Sequence, residues 1–122
     1  MSALHHVSLE VHPDESDRLV ELFELTGFAR IEAPEALGPY VVWLERDGNQ
    51  IHLIRSAEPT VMQLGHPALS APEGRFDAVL ADLREAGFEV EDHDPLWGAK
   101  RSFAIGPGGQ RVEIMEFPPP AG

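Results

Sequence analysis

The chain has no cysteine among its 122 residues. That excludes a disulfide framework, a thiolate metal site and a cysteine nucleophile, and it fits a reducing compartment, so a cytoplasmic protein is expected. No apolar run approaches the length of a membrane span, and the opening residues lack the basic stretch and apolar core of a secretory leader. No membrane partner is expected. Positive charge is scarce. Nine Lys and Arg stand against 21 Asp and Glu, for a formal net charge of -12. Such a field repels phosphate backbones, which argues against nucleic acid as a partner. Its ordinary consequence is solubility. It also works mildly against anionic substrates, although screening beyond about 8–10 Å leaves local arginines free to act. What the chain does have is a hydrophobic share of 43%, which argues for a packed globular protein rather than disorder. Its length suits one domain, residues 1–122, with a real core.

The most informative feature is an internal repeat. His6 opens HVSLEV and His66 opens HPALSA. Gly27-Phe28 ends one helical stretch and Gly87-Phe88 ends another at the same offset. Gly48-Asn49-Gln50-Ile51-His52-Leu53 then aligns with Gly109-Gln110-Arg111-Val112-Glu113-Ile114, one residue further on. Two modules follow, at 4–56 and 65–117.

Within the first module, residues 4–11 alternate, with Val7, Leu9 and Val11 on one face and His6, Ser8 and Glu10 on the other. Period two marks a strand with one face on a core. An acidic turn follows, in which Asp14 or Ser16 is expected to cap a helix. That helix buries Leu19, Leu22, Phe23 and Leu25 and ends at Gly27. Short strands are expected at 28–31, 40–44 and 50–55, the last two joined by a hairpin at Asp47-Gly48. The second module repeats the pattern. It has a strand over 66–71, a helix burying Phe76, Val79, Leu80 and Leu83, a short strand over 88–91, a loop over 92–100, and strands over 101–105 and 110–117. The reading is α+β, with two βαβββ modules.

Side chains alternate across a strand, so His6, His52, His66 and Glu113 all leave the helix-packed face. If the two sheets curve toward each other, the four converge. Imidazole and carboxylate suit Zn, Ni, Co, Mn or Fe, and one divalent ion per site is expected, with open positions for water or substrate. His5 is expected on the core side, where a one-residue slip would exchange it with His6. His12 and His93 fall in loops and read as surface residues. Trp43 reads equally as core or as cavity lining.

At these residues the chain resembles the vicinal oxygen chelate superfamily, which groups glyoxalases, fosfomycin- and bleomycin-resistance proteins, epimerases and extradiol dioxygenases. The matching motifs are HVSLEV at His6, QIHLI at His52, GHPALS at His66 and GPGGQRVE at Glu113. Gly106 and Gln110 depart from the usual Asp and Asn of the closing turn, and His52 stands where carboxylate or glutamine is common. The resemblance implies a half-open barrel, the glyoxalase-like fold. It also implies a metal-dependent lyase or isomerase that chelates two neighbouring oxygens of a small substrate and stabilises an enediolate or oxyanion. In that reading His6, His52, His66 and Glu113 hold the ion, and Glu113 can instead act as the catalytic base. Arg101 with Lys100, Trp97 and Ser8 meet the substrate. Two other readings remain open: a bleomycin-resistance-like protein that sequesters a cationic small molecule, and an Fe(II) dioxygenase that needs only His6, His66 and Glu113. A homodimer is expected from the open sheet edges.

Overall fold

The computed structural model describes residues 3–122. They divide into two compact units, with the boundary in the chain between Val61 and Met62. Each unit has one helix packed on a four-stranded mixed sheet.

In the first unit, β1 (His6–Val11) leads through a single 3-10 turn (Pro13–Glu15) into α1 (Ser16–Leu25). Then come β2 (Ala29–Ile31), a 3-10 segment (Glu35–Tyr40), β3 (Val41–Arg46) and β4 (Asn49–Arg55). The sheet order is β1-β4-β3-β2. β1 runs parallel to β4, with Ser8 opposite His52, and the other pairs are antiparallel. Leu9, Val11, Val42, Leu44, Ile51 and Leu53 turn inward and are buried beside Leu19, Val20, Leu22 and Phe23 of α1. The alternating pattern thus selects one sheet face for the core, as period two dictates.

The second unit repeats this order with β5 (Ala68–Ser70), α2 (Phe76–Glu85), β6 (Glu89–Leu96), β7 (Ala99–Ile105) and β8 (Arg111–Met115). Its sheet runs β5-β8-β7-β6, again with a parallel pair, Ala68 opposite Glu113. Phe76, Val79, Leu80 and Leu83 of α2 are buried, as are Val112 and Ile114 of β8.

Both helices stop the same way. Gly27 (φ 102°) and Gly87 (φ 90°) take the left-handed conformation that closes a helix at little steric cost. The amides of Phe28 and Phe88 then reach back to the carbonyls of Phe23 (3.1 Å) and Leu83 (3.0 Å).

Several local expectations need correction. The loop expected over 92–100 is regular structure: β6 continues to Leu96 and turns directly into β7, with an irregularity between His93 and Leu96. The turn is Trp97-Gly98, and both residues have positive φ (39° and 76°). Two-residue hairpins favour this geometry, but bulky residues rarely supply it. The strand expected to start at His66 starts at Ala68, which leaves His66 just ahead of it. Neither Asp14 nor Ser16 caps α1, which starts after Glu15 without a side-chain cap; the His12 ring caps only the preceding 3-10 turn, accepting from the Asp14 amide at 3.1 Å. Leu25 is only partly buried, and Val20 fills the inward position.

Candidate functional site

The face of the first sheet away from α1 carries His6, Ser8, Gln50, His52, Trp43 and Glu45, in the register set by the β1–β4 and β3–β4 pairs. His52 is the buried member, 8% exposed. Its ring lies between two others. Trp43 stacks on one side at 4.0 Å and 3° from parallel; His6 stacks on the other at 4.1 Å and 17°. Trp43 therefore belongs to the site face rather than to the helix-packed core. His5 is exposed rather than turned to the core, and its Nδ1 lies 2.6 Å from Nδ1 of His6. Ser8 is exposed beside His6, opposite His52.

Burial holds the His52 imidazole below its ordinary value of 6.5, and the neighbouring His6 and His5 push it the same way. A neutral imidazole is the form that binds metal. It also makes stability depend on pH. The unfolded chain holds this proton more tightly than the folded one, so stability rises with pH where only the unfolded state is protonated. The contribution is complete above about pH 6.5 and is lost as pH falls through the lowered folded value. Urea midpoints of metal-free protein across this range will show a shallower acid-side slope in His52→Gln than in the parent.

In the second unit, the corresponding face carries His66, Glu113, Arg101, Arg111, Phe103, Glu91 and His93. Glu113, 8% exposed, is the buried acid. Its Oε2 pairs with Arg101 Nη1 at 3.2 Å, while Oε1 lies 3.5 Å from His66 Nε2. His66 Nδ1 stands 2.8 Å from the Leu64 carbonyl oxygen. A carbonyl only accepts, so Nδ1 carries a proton; in the neutral ring the lone pair is then on Nε2, facing the carboxylate, whereas a protonated ring would pair with it directly. With the ring neutral, imidazole and carboxylate are two acceptors that a shared cation would bridge. Donors about 2.1 Å from a tetrahedral ion stand roughly 3.4 Å apart, close to the separation seen here. A backbone carbonyl on the far nitrogen is also the usual support for a ligating histidine. The donor set therefore fits a divalent ion.

The first unit fits in kind rather than in ready geometry. Stacked rings send their in-plane lone pairs side by side, so His6 and His52 need one ring to turn before both face one ion. Among the described residues, no three His, Asp or Glu side chains already stand as a cation-holding group.

The remaining residues separate by face. Arg111 pairs with Glu91 at 3.1 Å rather than with Glu113, and its guanidinium lies 4.4 Å from the Phe103 ring centroid. Lys100 turns to the helix side, where it meets Asp77 at 3.3 Å, so it does not accompany Arg101. Trp97 is exposed at the hairpin turn, and its indole N–H donates to the Phe117 carbonyl at 3.3 Å. Arg101 Nε is a buried donor without a hydrogen-bond acceptor. Sequence reasoning missed His93 and Phe103. Phe103 is flanked edge-on by His66 (4.9 Å) and His93 (4.8 Å). The signal for His93 was its even spacing from Glu91, which becomes meaningful only once β6 extends past it.

No protein-family model matches the chain, and no curated protein matches it. Solved structures do. A structure described as a glyoxalase family protein of Bacillus anthracis superposes with a TM-score of 0.80 at 23% identity, covering 94% of both chains. A glyoxalase/dioxygenase of Nostoc punctiforme gives 0.73 at 19%, covering 95% of this chain and 91% of that one. A lactoylglutathione lyase of Agrobacterium tumefaciens gives 0.71 at 16%, covering 94% and 93%. At these identities the likeness speaks for architecture alone, and over nearly the full chain it gives this protein the glyoxalase-like fold.

Proposed function

We propose that the protein is a divalent-metal-dependent enzyme of glyoxalase-like type, acting on a small molecule with two neighbouring oxygens. The observation that carries this reading is the His66–Glu113 pair. A histidine locked through Nδ1 turns its lone pair on a buried carboxylate 3.5 Å away. His6, His52, His66 and Glu113 would hold the ion, which when bound supplies Lewis acidity toward the substrate oxygens. Arg101 orients Glu113 by their 3.2 Å contact. A carboxylate held in that way also suits a base that takes a proton from the substrate carbon and returns it. Ser8 and Trp97, both exposed, meet the outer part of the substrate. The likeness to a lactoylglutathione lyase and to a glyoxalase/dioxygenase supports the class. A cytoplasmic location and a homodimer belong to the same reading.

The Arg101–Glu113 pair favours a second reading. It neutralises the buried acid without a metal, so the chain would also serve as a sequestering protein that uses no ion. Metal analysis of protein purified without a histidine tag separates the two. About one Zn, Ni, Co or Mn per chain, lost in His66→Ala together with turnover of 2-oxoaldehyde adducts, is the expected result. Iron with oxygen-dependent turnover transfers the protein to the dioxygenase class. Metal-free protein that binds small cationic ligands equally well in His66→Ala overturns the enzyme reading.

A further inference from the structure

His52 is backed by a hydrogen-bond chain that the roles above leave unused. Glu45 and Gln50 face each other across the β3–β4 pair, and Gln50 Nε2 donates to Glu45 Oε1 at 3.1 Å. Gln50 Oε1 lies 2.8 Å from His52 Nε2. The direction of this chain follows from elementary donor rules. An ionised carboxylate only accepts, so Glu45 draws the amide NH2 of Gln50 toward itself. The amide oxygen must then face His52, and an oxygen that only accepts requires the hydrogen to be on Nε2. The lone pair is left on Nδ1. Ring reversal would expose the other nitrogen, but His52 is held between Trp43 at 4.0 Å and His6 at 4.1 Å, and a flip must open that sandwich.

We infer that Glu45 and Gln50 are positioning residues that fix His52 as its Nε2–H tautomer, so that Nδ1 is the atom offered to an electrophile. The two modules then present opposite ring nitrogens. The Leu64 carbonyl leaves Nε2 of His66 free, while the Gln50 amide leaves Nδ1 of His52 free. The tautomer stands on the hydrogen bonds alone. Only its use toward a metal rests on the function proposed above.

The test is long-range 1H–15N correlation on metal-free, 15N-labelled protein at about pH 8, where imidazoles are neutral. His52 is expected to show a protonated Nε2 and an unprotonated Nδ1. Gln50→Leu removes the acceptor and lowers the Nε2–H to Nδ1–H ratio roughly fivefold, the worth of one hydrogen bond. Gln50→Glu restores an acceptor and with it the parental ratio, a rescue that a merely structural role for Gln50 would not produce. A proton on Nδ1 in the parent protein, or an unchanged ratio in Gln50→Leu, overturns the inference. Zinc titration of the same sample then separates the two claims. A zinc-dependent shift at Nδ1 supports both, and coordination through Nε2 overturns the relay. Zinc that leaves an Nε2–H His52 untouched removes His52 from the ligand set while the relay stands.

Discussion

Glu113→Ala is expected to lose both metal binding and a large part of the protein's stability. The Glu113 side chain is 10% exposed and pairs with Arg101, itself 22% exposed. Removing one partner of a buried pair leaves the other charge uncompensated, at about 3–5 kcal/mol when burial is complete. Water reaches part of the Arg101 side chain, so about 2–3 kcal/mol is expected here. That is a substantial share of the roughly 5–15 kcal/mol that holds a domain folded. Arg101 already has one donor without an acceptor, at Nε, so the variant has little to fall back on. Zinc affinity should drop at least about a hundredfold, since the loss exceeds that of a group which only orients a ligand. Urea denaturation and calorimetric zinc titration give the two readings. The Arg101→Leu/Glu113→Leu double variant should be more stable than either single variant, because no charge is left alone. A Glu113→Ala protein as stable as its parent would show that the pair carries no folding energy.

Phe23→Ala is expected to have the larger effect on folding alone. Phe23 is fully buried in α1 and meets Phe28 edge-to-face at 5.9 Å. Its carbonyl also closes the helix, accepting from the Phe28 amide and from the Thr26 hydroxyl at 2.7 Å. Truncation removes the aromatic contact and leaves a cavity beneath the sheet, a loss of about 3–5 kcal/mol. Leu25→Ala in the last turn of the same helix is partly exposed and should cost only about 1 kcal/mol. Comparable midpoints for the two variants would contradict the described inner face of α1.

The contrast between Leu25 and Val20 shows what the sequence could and could not display. Alternation in HVSLEV and QIHLI was legible because one sheet face is buried, and the Gly27-Phe28 and Gly87-Phe88 endings were legible because few residues close a helix that way. β6 was hidden. It is the outer strand of its sheet, and EVEDHDPL puts polar groups on both faces, which erases the period-two signal. Acid and proline there also discourage pairing with other chains. Its turn was hidden too, because Trp97 stands where asparagine or glycine is usual.

The donor residues of the site could be read from their places in the repeat; their partners could not. Alternation puts Arg101 and Arg111 on the same face as Glu113. Only the strand register, with Phe103 opposite Glu113 and Glu91 opposite Phe103, sends Arg111 to Glu91 and leaves Arg101 for Glu113. The Glu45–Gln50 contact likewise depends on the β3–β4 register. His93 is exposed, as its surface assignment has it, but it stands on a strand rather than in a loop.

The parallel pairing of β1 with β4 has a consequence for synthesis. β1 is made before the other strands of its unit, yet among the described residues its sole neighbour in the sheet is the last of them. A nascent chain that has emerged only through Arg46 can zip β2 against β3 while HVSLEV waits with its backbone groups open to water. The unit closes only when residues 50–55 leave the ribosome, and a pause before them would prolong exposure to chaperones.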